Sequence, residues 1–212
     1  MNVTRAEPVI PSMRGRWGLP TVLLVLIVGG LLALGAGAAS SYNGLVRLDQ
    51  SVQGQWAQVE NAYQRRADLV PSLVETVKGA AGFEKQTLQA VTEARAGLRP
   101  PPSKAPAPGE LEDYQRSQEA LSGALSRLMV VVEAYPQLRA TEAFRDLQAQ
   151  LEGTENRIAT ERMRFNQAAQ EFNTARNRFP TVLFANLFGS RFEEKAYFRA
   201  RPNAELPPKV QF

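Results

Sequence analysis

With 212 residues, 44% of them hydrophobic and 22% charged, the chain has the composition of one folded domain plus a short extra segment, not of a disordered polymer. It contains neither cysteine nor histidine, which excludes disulfides, thiolate zinc sites, thiol nucleophiles, Ser-His-Asp pairings, Glu-x-x-His di-iron sites and phosphohistidine relays. The net charge of +4 is small, and the basic residues are interleaved with acids, so no nucleic-acid partner is expected.

Residues 1–18 form a short basic tail with Arg5, Arg14 and Arg16 against the single acid Glu7. They are expected to be disordered. Residues 19–39 then carry no charge. At a rise of ~1.5 Å per residue such a stretch spans roughly 30 Å as a helix, enough to cross a hydrocarbon core, with membrane lipids as its partner. Arg14 and Arg16 precede the span, whereas Arg47 beyond it is offset by Asp49. The bias places the amino terminus in the cytoplasm and everything after Ser40 outside. Two readings stay open, a retained anchor and a cleaved signal, because Gly35-Ala36-Gly37-Ala38-Ala39-Ser40 is a small-residue run of the processing type. Both export the remainder of the chain. No Cys comes after the span, which excludes a lipobox.

Residues 40–180 read as a helical body. Apolar positions recur at Leu45, Leu48, Val52, Trp56, Val59 and Tyr63, in steps of three and four. Leu69-Val70-Pro71 is expected to end this helix, because proline lacks an amide hydrogen and clashes with the preceding turn. Asp68 would then cap a second helix with Pro71 in its first turn. That helix would carry the stripe Leu73, Val77, Ala81, Glu84, Leu88, Val91, Arg95 and Leu98 and reach roughly 40 Å. Glu84 and Arg95 fall on its apolar seam. They either snorkel to water at the edge or form a buried polar network that sets register.

The run YNGLVRLDQSVQGQWAQVENAYQRRADLVPSLVETVKG, succeeded by FEKQTLQAVTEARAG, resembles the LemA family, most specifically from Asn61 to Gly79. The resemblance extends from Tyr42 to the carboxyl terminus and is weakest from Arg99 to Leu138. It implies an up-and-down four-helix bundle behind one amino-terminal membrane segment. It also implies company with other envelope proteins, membrane-bound metallopeptidases among them. It supplies no agreed catalytic residues. Members of the family often carry a His where this chain has Phe83, so a role resting on that His would be lost here.

Arg99 to Gly109 is a Pro/Ala-rich linker, read as a spacer and not as a ligand for a proline-reading module. A third stripe runs through Leu111, Tyr114, Gln118, Leu121, Leu125, Leu128, Val132 and Tyr135, with Pro136 as its end. Thr141 is placed to cap a fourth helix with the stripe Phe144, Leu147, Leu151, Thr154, Ile158, Glu161, Phe165, Ala168, Phe172, Ala175 and Phe179. Four amphipathic helices close most simply as one antiparallel up-and-down bundle, so the fold class is all-α after one N-terminal transmembrane helix.

Residues 181–212 are rich in Phe, which a disordered tail rarely is. Val182 to Phe188 is predicted to form a short helix ended by Gly189. Three arrangements compete: packing on the bundle, lying on a membrane surface, or docking a partner or second copy.

The function these features imply is a non-enzymatic, membrane-anchored scaffold or adaptor of the cell envelope, without cofactors. Its expected contact surface is the corner at Arg65, Arg66, Asp68 and Glu75. The bland alternative is that these arginines merely pair with Asp68 and Glu75. A second reading is a self-assembling oligomer that shapes or protects the membrane. Glu161, polar at a seam position of the fourth helix, could join Glu84 and Arg95 in the seam network, and an enzyme would need Glu, Asp, Lys, Tyr or Ser chemistry in the bundle core with a concave pocket near these residues.

Overall fold

The computed structural model describes residues 18–80 and 82–199. The basic tail, Ala81, Phe212 and the closing LPPKVQF lie outside the described residues. The chain divides into two units, 1–40 and 41–212. All regular structure among the described residues is helical.

In the first unit, α1 (Leu19–Lys78) begins as an uncharged helix whose Leu and Val side chains are all exposed, Leu26 among them. Its length and composition suit one membrane crossing.

In the second unit α1 continues without interruption to Lys78. The predicted corner at Asp68 and Pro71 is therefore corrected: Pro71 lies inside the helix, and Asp68 accepts from Gln64 Nε2 at 2.7 Å instead of capping. The physical reason is a borrowed donor. A proline at 71 leaves the carbonyl of Ala67, four residues back, without its amide partner. Arg95 Nε donates to that carbonyl at 3.1 Å. The ring of Pro71 is on the exposed side, so it displaces nothing from the core. Arg95→Ala is expected to cost about 1 kcal/mol in Pro71-containing protein. In a Pro71→Ala background, where the helix supplies its own donor, the same change should cost much less. A thermal double-mutant cycle on the full chain checks this, and equal costs in both backgrounds would refute the borrowed-donor account.

The true turn falls at Gly79 to Glu84. Gly82 adopts φ +80°, a conformation that side-chain-bearing residues rarely take, and its carbonyl accepts from the Tyr135 hydroxyl at 2.9 Å. The second helix, α2 (Lys85–Ala96), has 12 residues and is much shorter than predicted. Helix α3 (Pro108–Val132) starts with proline in its first turn and buries Leu111, Tyr114, Gln118, Leu121, Leu125, Leu128 and Val132, the predicted stripe. A four-residue helix, α4 (Pro136–Arg139), precedes α5 (Glu142–Asn177), whose first turn is capped by the Thr141 hydroxyl accepting from Phe144 N at 3.4 Å. Helix α6 (Thr181–Leu187) leads into a 3-10 turn, Gly189–Phe192, with Gly189 at φ +64°.

Two apolar clusters form the core. The first joins Trp56, Val59 and Tyr63 of α1, Tyr114 of α3, Phe165 and Phe172 of α5, and Phe192 and Phe198 beyond α6. The second joins Val70, Leu73 and Val77 of α1, Leu88 and Val91 of α2, Leu121, Leu125 and Leu128 of α3, and Phe144 and Leu151 of α5. Each fully buried large side chain contributes roughly 1.5–3 kcal/mol to holding the helices together. Helices α1, α3 and α5 contribute to both clusters, whereas α2 reaches only the second.

Over the first cluster the side that α2 leaves open is covered by extended chain. The linker lies on α1, with Trp56 Nε1 donating to Pro102 O at 3.0 Å and Ala105 N donating to Gln53 Oε1 at 2.7 Å. It is more than a spacer. Residues 193–199 are held by two amide clamps on α5. Asn173 donates to Lys195 O and accepts from Lys195 N at 2.9 and 2.8 Å. Asn166 does the same with Phe198 at 2.9 and 2.8 Å. The two asparagines are seven residues apart, two helical turns, and so span about the same length as the three-residue extended step from 195 to 198.

Candidate functional site

Arg65 and Arg66 are adjacent in sequence but fall on different faces of α1, because successive helical residues are turned by about 100°. Arg66 falls on the α1 stripe between Tyr63 and Val70 and is 1% exposed. It therefore does not belong to a contact surface, which corrects the expectation for that residue. Its Nη1 donates to Ser122 Oγ at 2.5 Å and Glu155 Oε1 at 2.8 Å, and its Nη2 to the Gln118 carbonyl at 3.0 Å and Gln118 Oε1 at 2.6 Å. The guanidinium lies 5.1 Å from the Tyr63 ring centroid. This polar layer ties α1, α3 and α5 together between the two apolar clusters. Sequence reasoning missed it although a signal was present, since 59, 63, 66, 70, 73 and 77 continue one stripe in steps of four and three.

The other predicted contact residues separate. Asp68 bonds Gln64 and Glu75 pairs with Lys78 at 2.7 Å, so neither takes Arg65 or Arg66 as partner. Arg65 is exposed. The proposed seam network also separates. Glu84 is exposed and accepts from Thr87 Oγ1 at 3.0 Å. Arg95 serves the Ala67 carbonyl. Glu161 alone is fully buried, on α5 between Ile158 and Phe165, and its carboxylate is held by Arg157 at 2.8 Å and Arg164 at 3.1 Å. Among the described residues no three carboxylates gather at metal-binding distance.

Burial pushes the hydroxyls of Tyr63 and Tyr114 above the ordinary tyrosine range, and for Tyr114 the neighbouring Tyr63 and Glu60 add to the effect. Neither offers a phenolate base near neutrality. Burial likewise raises the Glu60 carboxyl, against a smaller lowering by the nearby Trp56 indole N–H.

Arg65 opens instead onto a groove of about 700 Å³ between α1 and α5. Gln58, Asn61, Arg65, Gln150 and Arg157 supply polar and cationic walls, and Ala62, Ala149, Gly153 and Thr154 make up the rest of its lining. The groove exists because small residues leave the space between the helices unfilled. A Cβ built on Gly153 meets nothing within 4 Å. Arg157 is half committed to Glu161 and Arg65 has no ion-pair partner among the described residues, so the groove is cationic with amide donors and acceptors around it. Such a lining binds carboxylates and peptide groups. It lacks a nucleophile paired with a base.

Among the described residues one helix is long and apolar enough to cross a membrane, and it leads into an all-helical body with a polar groove, features consistent with a single-pass membrane protein. The chain belongs to the LemA family, whose model matches residues 55–212. It is similar to magnetosome protein MamQ 2 and magnetosome protein MamQ 1 of Paramagnetospirillum magneticum, each 27% identical over 216 residues covering 93% of this chain and 78% of the relative. MamQ of Magnetospirillum gryphiswaldense is 26% identical over the same shares.

Proposed function

We propose that this chain is a single-pass, non-enzymatic adaptor of the bacterial inner membrane, with its helical body outside the cytoplasm, that works by protein contact through the Arg65 groove. The observation that carries the reading is the groove itself: an open cationic slot, walled by amides, between the two longest helices. Family membership and the uncharged first part of α1 support the membrane setting. The occupant that fits is an acidic or backbone-exposing segment of another envelope protein, whose carboxylate would gain charge-assisted bonds from Arg65. Within the body, α1, α2, α3 and α5 act as an up-and-down four-helix bundle around the second cluster, a rigid support for that slot.

The test uses Gly153, where added volume enters empty space and glycine replacement favours the helix by up to about 1 kcal/mol. A photo-reactive side chain in place of Asn61, in the membrane-bound full chain, is expected to yield discrete adducts with an envelope protein. Gly153→Trp, which fills the slot, should abolish them, and Arg65→Glu should weaken them roughly tenfold or more. Adducts that survive both substitutions would remove the groove from the contact, and adducts only with a second copy would favour self-assembly over adaptor work.

A further inference from the structure

Among the described residues outside the span, the most exposed large apolar side chains are Leu187 and Phe179, at 78% and 76%, and Leu183, at 60%, is close to them in the chain. Leu183 and Leu187 are one turn apart on the outer face of α6, and Phe179 stands in the turn that enters it. Val130 and Met163 are similarly exposed but isolated on other helices, as single surface apolar residues commonly are.

The inner face of α6 is firmly held. Ala185 is fully buried, and Phe188 meets Tyr42 edge to face at 5.1 Å. The outer apolar face is thus presented by a fixed helix and is not a by-product of a loose tail. Tyr42 is what gives this face its meaning. It stands three residues beyond Ala39, where the apolar stretch ends. Three residues reach at most about 10 Å. Whatever the orientation of the span, the residue that α6 packs against is tethered within that distance of the end of the apolar stretch.

The chemistry around α6 matches a headgroup layer. Arg191 is exposed and stacks over the Tyr42 ring, 5.3 Å from its centroid, and Arg178 is exposed just ahead of α6. An aromatic ring at the boundary, cations on either side and a short apolar face form the pattern of a segment lying in the membrane interface.

We propose that α6 is a second membrane contact: Phe179, Leu183 and Leu187 enter the outer leaflet of the bilayer crossed by residues 19–39, and Arg178 and Arg191 meet its phosphates. The occupant is a lipid surface and not a protein. This rests on the reading of residues 19–39 as a retained span. Two points of attachment would hold the helical body in one posture on the membrane and fix the direction in which the Arg65 groove opens.

The absence of cysteine makes the test direct. Leu187→Cys, Val130→Cys and Leu26→Cys variants of the full chain, each labelled with an environment-sensitive fluorophore, are reconstituted into phosphatidylethanolamine and phosphatidylglycerol vesicles. Nitroxides carried at shallow and deep positions on lipids serve as quenchers. The expected result is strong quenching at 187 by the shallow nitroxide, at 26 by the deep one, and almost none at 130. Quenching at 26 with none at 187 overturns the proposal and leaves the span intact. No quenching at either position overturns both. A label at 187 shielded from aqueous iodide yet untouched by lipid nitroxide assigns the face to a second copy or another protein, and overturns it too.

Discussion

Replacing Arg66 by alanine is expected to destabilise the helical body by about 3–5 kcal/mol, the range for breaking a buried charged network at one partner. The guanidinium fills its site and gives all of its terminal N–H groups to Ser122, Glu155 and Gln118. Its removal takes the Arg66 partner from the buried Gln118 side chain and Ser122 hydroxyl, while the Gln118 carbonyl keeps its place in the α3 ladder and the apolar clusters on either side stay in place. Glu155 is 45% exposed and rehydrates readily, so Glu155→Ala should cost about 1 kcal/mol or less. Arg66→Lys should not rescue, since one ammonium does not reproduce the planar fork that reaches two residues of α3 and one of α5. Converting the layer together, Arg66→Met with Gln118→Leu and Ser122→Ala, should recover most of the stability. Unfolding of the full chain in mild detergent, monitored by circular dichroism, measures each value. A loss below about 1 kcal/mol for Arg66→Ala would mean that the layer is wet and not structural.

Trp56→Ala carries the second large effect, again about 3–5 kcal/mol, from lost transfer energy and the void left behind. Trp56 is 2% exposed and touches three rings on three segments: Tyr114 at 5.5 Å, Phe165 at 5.7 Å and Phe198 at 6.2 Å. Its indole N–H also anchors the linker at Pro102. The consequence is spatially uneven. Residues 193–199 and the linker lose their wall, whereas α2 rests on the other cluster. Amide exchange should therefore quicken in 193–199 and 99–107 well before it does in α2. Trp56→Phe keeps most of the wall and should cost only about 1–2 kcal/mol, chiefly the hydrogen bond to Pro102. Uniform acceleration across both clusters would show that they unfold as one unit and that the first has no separate role in seating the tail.

These two residues differ in how plainly the sequence announces them. Trp56 sits in an apolar stripe and its burial can be read from spacing alone. Arg66 occupies an equally regular position, but a charged residue there reads as surface until its partners are known, and those partners come from α3 and α5, more than 50 and 80 residues away. The Arg65 groove was legible only through Arg65. Its shape depends on Ala149 and Gly153 opposite, whose smallness matters only once α5 lies against α1.

The amino-acid order by itself determines the features that depend on near neighbours. The uncharged first part of α1, the stripe of α3, the Thr141 cap and Gly189, the glycine just past the end of α6, all come from spacing and backbone chemistry within a turn or two. Tertiary structure decided everything that hangs on a partner distant in sequence. Pro71 passes through α1 because Arg95, brought there by the turn at Gly82, feeds the carbonyl that proline leaves empty. Arg66 turns inward because Gln118 and Ser122 offer acceptors across the interface. A local rule states the cost of a missing donor or a buried charge, and only the folded chain reveals whether another segment meets it.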